Sequence, residues 1–229
     1  MLTKLRYKFT CICTFTTSIV LLTTMIVLFF ISKEQLDIRY EHDLDAQLNL
    51  LIYNIQNSYS AEHQQYSISY SWLSQLESTN HLVIQISENN KPFHYKGSFQ
   101  TPTKRQTLLE DAANLATENY HYNFLPYYNT SDTLNSIQFH LRPSRLEHYL
   151  VNISTFSLHY SNMQIILLKD MKEYDQNLHY QGLIYTLIFL VATFLLSLFS
   201  YWFAGRVILP IAENEKEQKE FIAAASHEL

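Results

Sequence analysis

The chain has 229 residues, a formal net charge of −5 and 16% charged residues, below the roughly 25% of an average soluble domain. Its three glycines, Gly97, Gly182 and Gly205, stand too far apart for a GxGxxG or Walker loop, and its two cysteines, Cys11 and Cys13, rule out a disulfide-stapled scaffold and a Cys-rich zinc site. The acidic balance argues against a nucleic-acid partner, which would call for a basic footprint.

Residues 1–8 carry Lys4, Arg6 and Lys8. From Phe9 to Ile31 no residue is charged, and a helix of that length crosses the roughly 30 Å hydrocarbon layer. Residues 9–31 are therefore expected to be a first transmembrane helix. A cleaved signal peptide has a shorter apolar region and a small-residue cleavage site, and Ile31-Ser32-Lys33-Glu34 is a poor one.

Residues 32–182 change in character. They hold 10 Lys and Arg against 16 Asp and Glu, a net of −6. Glu34 to Tyr59 reads as a helix continuing from the first span, with Leu44, Leu48, Leu51, Ile55 and Tyr59 recurring at steps of three and four. Asp37, Glu41, Asp43 and Asp45 are expected on its outer face. Tyr70 to Ser78 is a candidate short helix. The period then changes: Leu82, Ile84 and Ile86 alternate with Val83, Gln85 and Ser87, Glu88-Asn-Asn-Lys91 is a turn, and Pro92 to Phe99 reads as a returning strand. Lys104 to Asn119 is helical, with Leu108, Leu109, Ala112, Leu115 and Ala116 on one face. Three strands are expected at 136–142, 149–155 and 163–169, and a helix from Lys172 onward.

Leu183 to Ala204 is a second uncharged stretch, with Tyr201 and Trp202 placed for an interfacial aromatic belt. Residues 183–204 are the expected second transmembrane helix. Arg206 follows it, and the positive-inside rule puts both termini in the cytoplasm and residues 32–182 outside. The expectation is a two-span protein of the cell membrane.

Nine of the ten histidines and 14 of the 17 tyrosines lie in the outer segment. His42, His63, His81, His94, His121, His140, His148, His159 and His179 show no tight pair at metal-ligand spacing, so solvated histidines are expected rather than a metal site. The aromatic run Tyr120-His-Tyr-Asn-Phe-Leu-Pro-Tyr-Tyr128 is either a ligand-facing loop or a packed lid.

Residues 205–229 form the cytoplasmic end. After Pro210, which suits a kink or a first helical turn, Glu, Lys, Gln and Ala favour helix. Ile211, Gln218, Ile222, Ala225 and Leu229 fall near one seam, compatible with a parallel dimeric helix. His227 lies about 200° around from Ala225, away from that seam.

The element order in residues 34–180 resembles the extracytoplasmic PAS-like sensor domains, of single Cache type, found between two spans of bacterial receptors. The expected fold class is thus an α+β sensor domain flanked by two transmembrane helices, with a helical dimerisation segment at the cytoplasmic end. Phe221-Ile-Ala-Ala-Ala-Ser226-His227-Glu228-Leu229 resembles the start of the H-box of sensor histidine kinases, in which Ser-His-Glu-Leu is followed by Arg-Ser/Thr-Pro-Leu. Arg206-Val-Ile-Leu-Pro-Ile resembles the exit from the second span in that family. The resemblance implies that His227 is the phospho-acceptor and Glu228 the base that orients it. It also implies ATP with Mg2+ as phosphoryl donor, a cytoplasmic response regulator as acceptor, a homodimer, and an extracytoplasmic stimulus. In a bacterial protein the sequons Asn129-Thr-Ser and Asn152-Ile-Ser are chance matches.

Two departures from the family pattern stand out. The 17 residues from Pro210 to His227 leave no room for a HAMP module. No Asn-box or Gly-rich ATP lid occurs in the sequence, so residues 1–229 are not expected to phosphorylate themselves. The end at Leu229, inside the motif, suggests a fragment or a truncated reading frame. The alternative reading is a truncated membrane-anchored ligand-binding receptor without kinase activity.

Overall fold

The computed structural model describes residues 2–60, 65–124, 134–158 and 161–227. Two helices bracket the chain, α1 (Leu2–Asn57) and α4 (Lys172–His227). Between them come β1 (Tyr59–Ser60), β2 (Gln65–Tyr66), α2 (Tyr70–Asn80), β3 (Leu82–Glu88), β4 (Lys91–Pro92), α3 (Arg105–Tyr120), β5 (Asn135–Ser144), β6 (Glu147–Leu158) and β7 (Ser161–Asp170). The chain divides into two units. One is Gln35–Gln176; the other joins the residues up to Glu34 with those from Asn177 onward.

The second of these units is the two apolar helical stretches. Both α1 and α4 contain a segment long and apolar enough to cross a membrane, and neither segment is buried by protein. A core helix of a soluble protein would be covered. In the first stretch, Thr16, Thr17, Thr23 and Thr24 donate their hydroxyls to carbonyls three or four residues back. These four hydroxyls are satisfied within the helix, the arrangement a hydrocarbon environment favours, while the Thr14 and Ser18 hydroxyls are buried without a partner. Phe29 meets Tyr185 edge-on at 6.2 Å, and Ser32 donates to Gln181 at 3.2 Å. Helix α4 runs through Pro210 without a break in its assignment.

In the unit Gln35–Gln176, five antiparallel strands form one sheet in the order β4-β3-β7-β6-β5. β3 pairs with β7 in register Leu82↔Lys169 to Glu88↔Met163, and β7 with β6 from Leu158↔Ser161 to Tyr149↔Asp170. β5 and β6 pair from Asn135↔Thr155 to Leu141↔Tyr149, with a register shift before Ser144↔Glu147. On one face, Val83, Tyr149, Val151, Ile153, Ile166, Leu168, Phe139 and Leu141 form a core with Leu108, Leu109, Ala112 and Ala116 of α3. On the other face lies α1, which buries Leu44, Leu48, Leu51 and Ile55.

Coverage on both faces explains why β3 buries Leu82, Val83, Ile84 and Ile86 together, although Leu82, Ile84 and Ile86 alternate with Val83, Gln85 and Ser87 in the sequence. It also corrects the expected outward placement of the α1 acids. Asp45 accepts from Gln138 at 2.6 Å and from Asn152 at 3.3 Å, Asp43 pairs with Lys169, and Asp37 accepts from the Tyr174 hydroxyl. Asn152 in turn accepts from Ser136 and Ser154. A strand buried along most of its length keeps these polar groups only because each is paired.

Histidine takes the place of glycine in two helix stops. α2 and α3 end on His81 and His121, each left-handed at φ 52, and the cap amides donate to Glu77 and Ala116 carbonyls. The strand expected at 92–99 shortens to Lys91–Pro92. Proline has no amide proton to donate, and after Phe93 donates to the Ile86 carbonyl the chain turns tightly, with Tyr95 N donating to the Phe93 carbonyl.

Candidate functional site

The unit Gln35–Gln176 contains a cavity of about 710 Å³ between α2, β3, the 92–95 segment and α3, within the size range of small-molecule sites. Tyr66, Tyr70, Phe93 and Tyr95 give it aromatic walls. Ile84, Ile86, Leu73, Leu109 and Ile166 add aliphatic surface, and Gln85, Gln106 and Gln164 add neutral polar groups. Tyr70 and Tyr95 stack at 6.0 Å.

One side of the cavity is built on a buried ion pair. Glu77, in the last turn of α2, is 0% exposed. It accepts from Ile84 N at 2.8 Å, Ser98 N at 2.7 Å, the Tyr95 hydroxyl at 3.1 Å and Arg105 Nη2 at 2.7 Å. Arg105, the first residue of α3, also donates from Nη2 to the Ile84 carbonyl, and its guanidinium lies 5.5 Å from the Tyr95 ring centre. Its Nη1 is buried with no hydrogen-bond partner. Gly97 makes this approach possible: its φ is +77, and a Cβ there would lie 2.1 Å from Arg105 Nη1. Because Glu77 neutralises Arg105, the wall presents hydrogen-bonding surface without a free positive charge. Burial raises the Tyr95 hydroxyl above its ordinary value, and burial followed by the charge of Glu88 pushes Tyr66 up to about 12. Both are neutral hydrogen-bonding groups at physiological pH.

The sequence run Tyr120–Tyr128 does not supply this lining among its described residues. Tyr122 is buried, donating to the Asn135 carbonyl at 2.8 Å and lying 3.0 Å from the Thr155 hydroxyl. Phe124 packs against the α3 core. This part of the run is a packed lid; residues 125–128 lie outside the described residues. The aromatic wall comes instead from Tyr66, Tyr70, Phe93 and Tyr95. The sequence signal for it is the close spacing of aromatics at 66 and 70 and at 93 and 95.

The histidines also fall differently. His140 on β5 and His148 on β6 are separated by the hairpin, so linear spacing hides them, yet with His140 opposite Leu150 the strand pairing brings the two side chains within 2.9 Å, Nδ1 to Nε2. His148 Nδ1 is 3.1 Å from both carboxylate oxygens of Asp175 in the first turn of α4. Among the described residues, no group of three or more His, Cys, Asp or Glu is placed to hold a metal ion. His63 and His159 lie outside them. Of the two sequons, Asn152 is fully buried, which excludes glycosylation in the folded chain, and Asn129 lies outside the described residues.

The remaining site residues are at the far end of α4. The backbone of His227 closes that helix, while its side chain and the whole of Glu228 lie outside the described residues. The described residues form no glycine-lined phosphate cradle, as the isolated positions of Gly97, Gly182 and Gly205 require. No family model, curated protein or solved structure matches the chain.

Proposed function

We propose that this chain is the sensor and phospho-acceptor part of a membrane-bound sensor histidine kinase of a two-component system. The observation that carries the reading is the sequence Phe221–Leu229, with its Ser-His-Glu-Leu box, on the same helix as the second apolar stretch. The two membrane-length helices around an α/β unit support it. So does the order of elements between them, which is the order on which the likeness to PAS-like, Cache-type sensor domains rests.

In this reading the outer unit faces the extracytoplasmic side and both termini face the cytoplasm, since Lys4, Arg6, Lys8 and Arg206 flank the apolar stretches. A stimulus acts on the outer domain, for which the 710 Å³ cavity is the natural receptor. The chain acts as a homodimer through the helix after Pro210. A ring nitrogen of His227 takes the γ-phosphoryl group of ATP, with ADP leaving, and passes it to an aspartate of a response regulator. Glu228 holds the other ring nitrogen, so that the attacking one is oriented and unprotonated. ATP and its Mg2+ belong to a separate ATP-binding domain, since residues 1–229 hold no nucleotide loop.

The test is phosphoryl labelling of the membrane chain joined to, or supplied with, a kinase ATP-binding domain. The expected product is an acid-labile, base-stable label that is lost in His227→Gln. Labelling unchanged in His227→Gln overturns the assignment. A chain that binds ligand in the outer cavity but takes no label on His227 is the membrane-anchored receptor instead.

A further inference from the structure

The histidine pair lies away from the cavity and has no part in the phosphoryl chemistry. Its geometry restricts how many protons it can hold. His140 Nδ1 and His148 Nε2 are 2.9 Å apart, so one proton must lie between them: one nitrogen donates and the other accepts. That arrangement survives while at most one of the two rings is charged. When both are charged, both nitrogens carry N–H groups, neither can accept, and the bond cannot exist.

The surroundings determine where each ring can go. His148 is 7% exposed, and its other nitrogen is already committed to Asp175 of α4. Its ring also meets Tyr174 edge-on at 6.1 Å, and its carbonyl accepts from Met171 N at 2.9 Å. On β7, Asp170 lies opposite Tyr149 and so on the other face, while Lys169, opposite Leu150 on the His148 face, is paired with Asp43 of α1. His140 is exposed. Facing it are Asp37 and Glu41 of α1, which favour its charged form, and Arg142 of its own strand, which opposes it. The geometry lets one proton be taken up with the bond intact, His148 Nε2 then donating to a neutral His140 Nδ1. A second charges His140, which is free to turn from β6 toward the α1 acids.

We propose that His140, His148 and Asp175 form a proton-binding site, in which the second proton breaks the histidine–histidine bond and replaces it with ion pairs to the acids of α1 and α4. Partial burial, and then the neighbouring His148, hold His140 below the ordinary imidazole value of 6.5. The neutral, bonded form of His140 thus contributes stability that is complete above pH 6.5 and is lost as pH falls through the depressed value. The site responds to acid, and it does so independently of whether the chain is a kinase.

The test uses the full chain in lipid nanodiscs, 15N-labelled at histidine, titrated by NMR from neutral to acid pH. The expected result is a through-hydrogen-bond nitrogen–nitrogen coupling between His140 and His148 at neutral pH. The two rings should titrate in two linked steps, and the coupling should vanish at the second. His140→Gln, at an exposed strand position, should reduce the His148 titration to a single step. Asp175→Asn, at a half-exposed position, should move both steps to lower pH. A coupling absent at neutral pH, two independent single-step curves, or a His148 titration unchanged in either variant would each overturn the proposal. Because none of these readouts involves phosphoryl transfer, failure here is distinguishable from failure of the kinase assignment.

Discussion

At the scale of single residues, Glu77 carries the most. Its carboxylate answers two backbone amides, a phenol and a guanidinium from four separate positions along the chain. Removing one member of a buried, hydrogen-bonded ion pair leaves the other charge unpaired and costs about 3–5 kcal/mol. Glu77→Ala should lower the unfolding free energy of the α/β unit by that amount, read from urea denaturation followed by the fluorescence of Trp72 in the same helix. A loss below about 1 kcal/mol, the worth of an exposed pair, would contradict the buried geometry. Glu147 gives a pH prediction. Burial alone raises its carboxyl, but hydrogen bonds from Thr103, Ser144 and Tyr149 outweigh this and hold it below the usual 4.5. A depressed folded value contributes stability that is present above the unfolded value and lost as pH falls through the folded one. Thr103→Val should therefore flatten the acid limb of the stability curve below about pH 4.5 while shifting the neutral limb less; an acid limb unchanged in shape would refute the role.

At the scale of elements, β6 has the greatest energetic weight because it is covered on both faces. Ile153→Ala should cost about 2–5 kcal/mol, the range for an emptied core position. Leu146, 98% exposed in the β5–β6 turn, should tolerate Asn within about 0.5 kcal/mol. Equal effects in thermal melts of the two variants would mean that the hairpin is packed otherwise. The helices and most strands were legible from pattern. Tyr70–Ser78 appears as Tyr70–Asn80, Lys104–Asn119 as Arg105–Tyr120, and the three late strands within a few residues of their expected ends. Period-based reading sees which residues are apolar, but not how many partners a surface has. It therefore missed that β3 is wet on neither face and that Asp37, Asp43 and Asp45 turn inward. The pairing of β3 with β7 joins residues about eighty positions apart, and no local signal encodes it. The same applies to the cavity: Glu77 and Arg105 are 28 residues apart, and only the fold makes them a pair. His140 and His148 were visible as residues but not as neighbours.

At the scale of the whole molecule, the two apolar stretches should keep the chain in the membrane fraction after alkaline extraction, with release only by detergent. Reporter fusions at residue 1 and after Arg206 should both read cytoplasmic, and a fusion in the 145–146 turn should read outside. Recovery in the alkaline supernatant would remove the membrane assignment, and opposite readings at the two ends would remove the topology.

The α/β unit holds the 35–57 part of α1 along a longer line than it holds the start of α4. It grips α1 along a line of four buried aliphatic residues and fastens that line with Asp43 to Lys169 and Asp45 to Gln138 and Asn152. At the start of α4 the contacts lie within the first turn: Asp175 meets His148 of β6, Glu173 lies 4.0 Å from His81, the Met171 amide donates to the His148 carbonyl, and the buried Tyr174 packs on Tyr40 and bonds Asp37, both of α1 itself. Sliding α1 by a single residue would break several bonds and unseat a core, and because Tyr174 is bonded to α1 itself, the start of α4 is tied both to the first helix and, through His148, to the sheet. Of the bonds at the start of α4, the Asp175 pair ties it to the sheet through a titratable ring, so the protonation of His148 and the anchoring of α4 are one and the same contact.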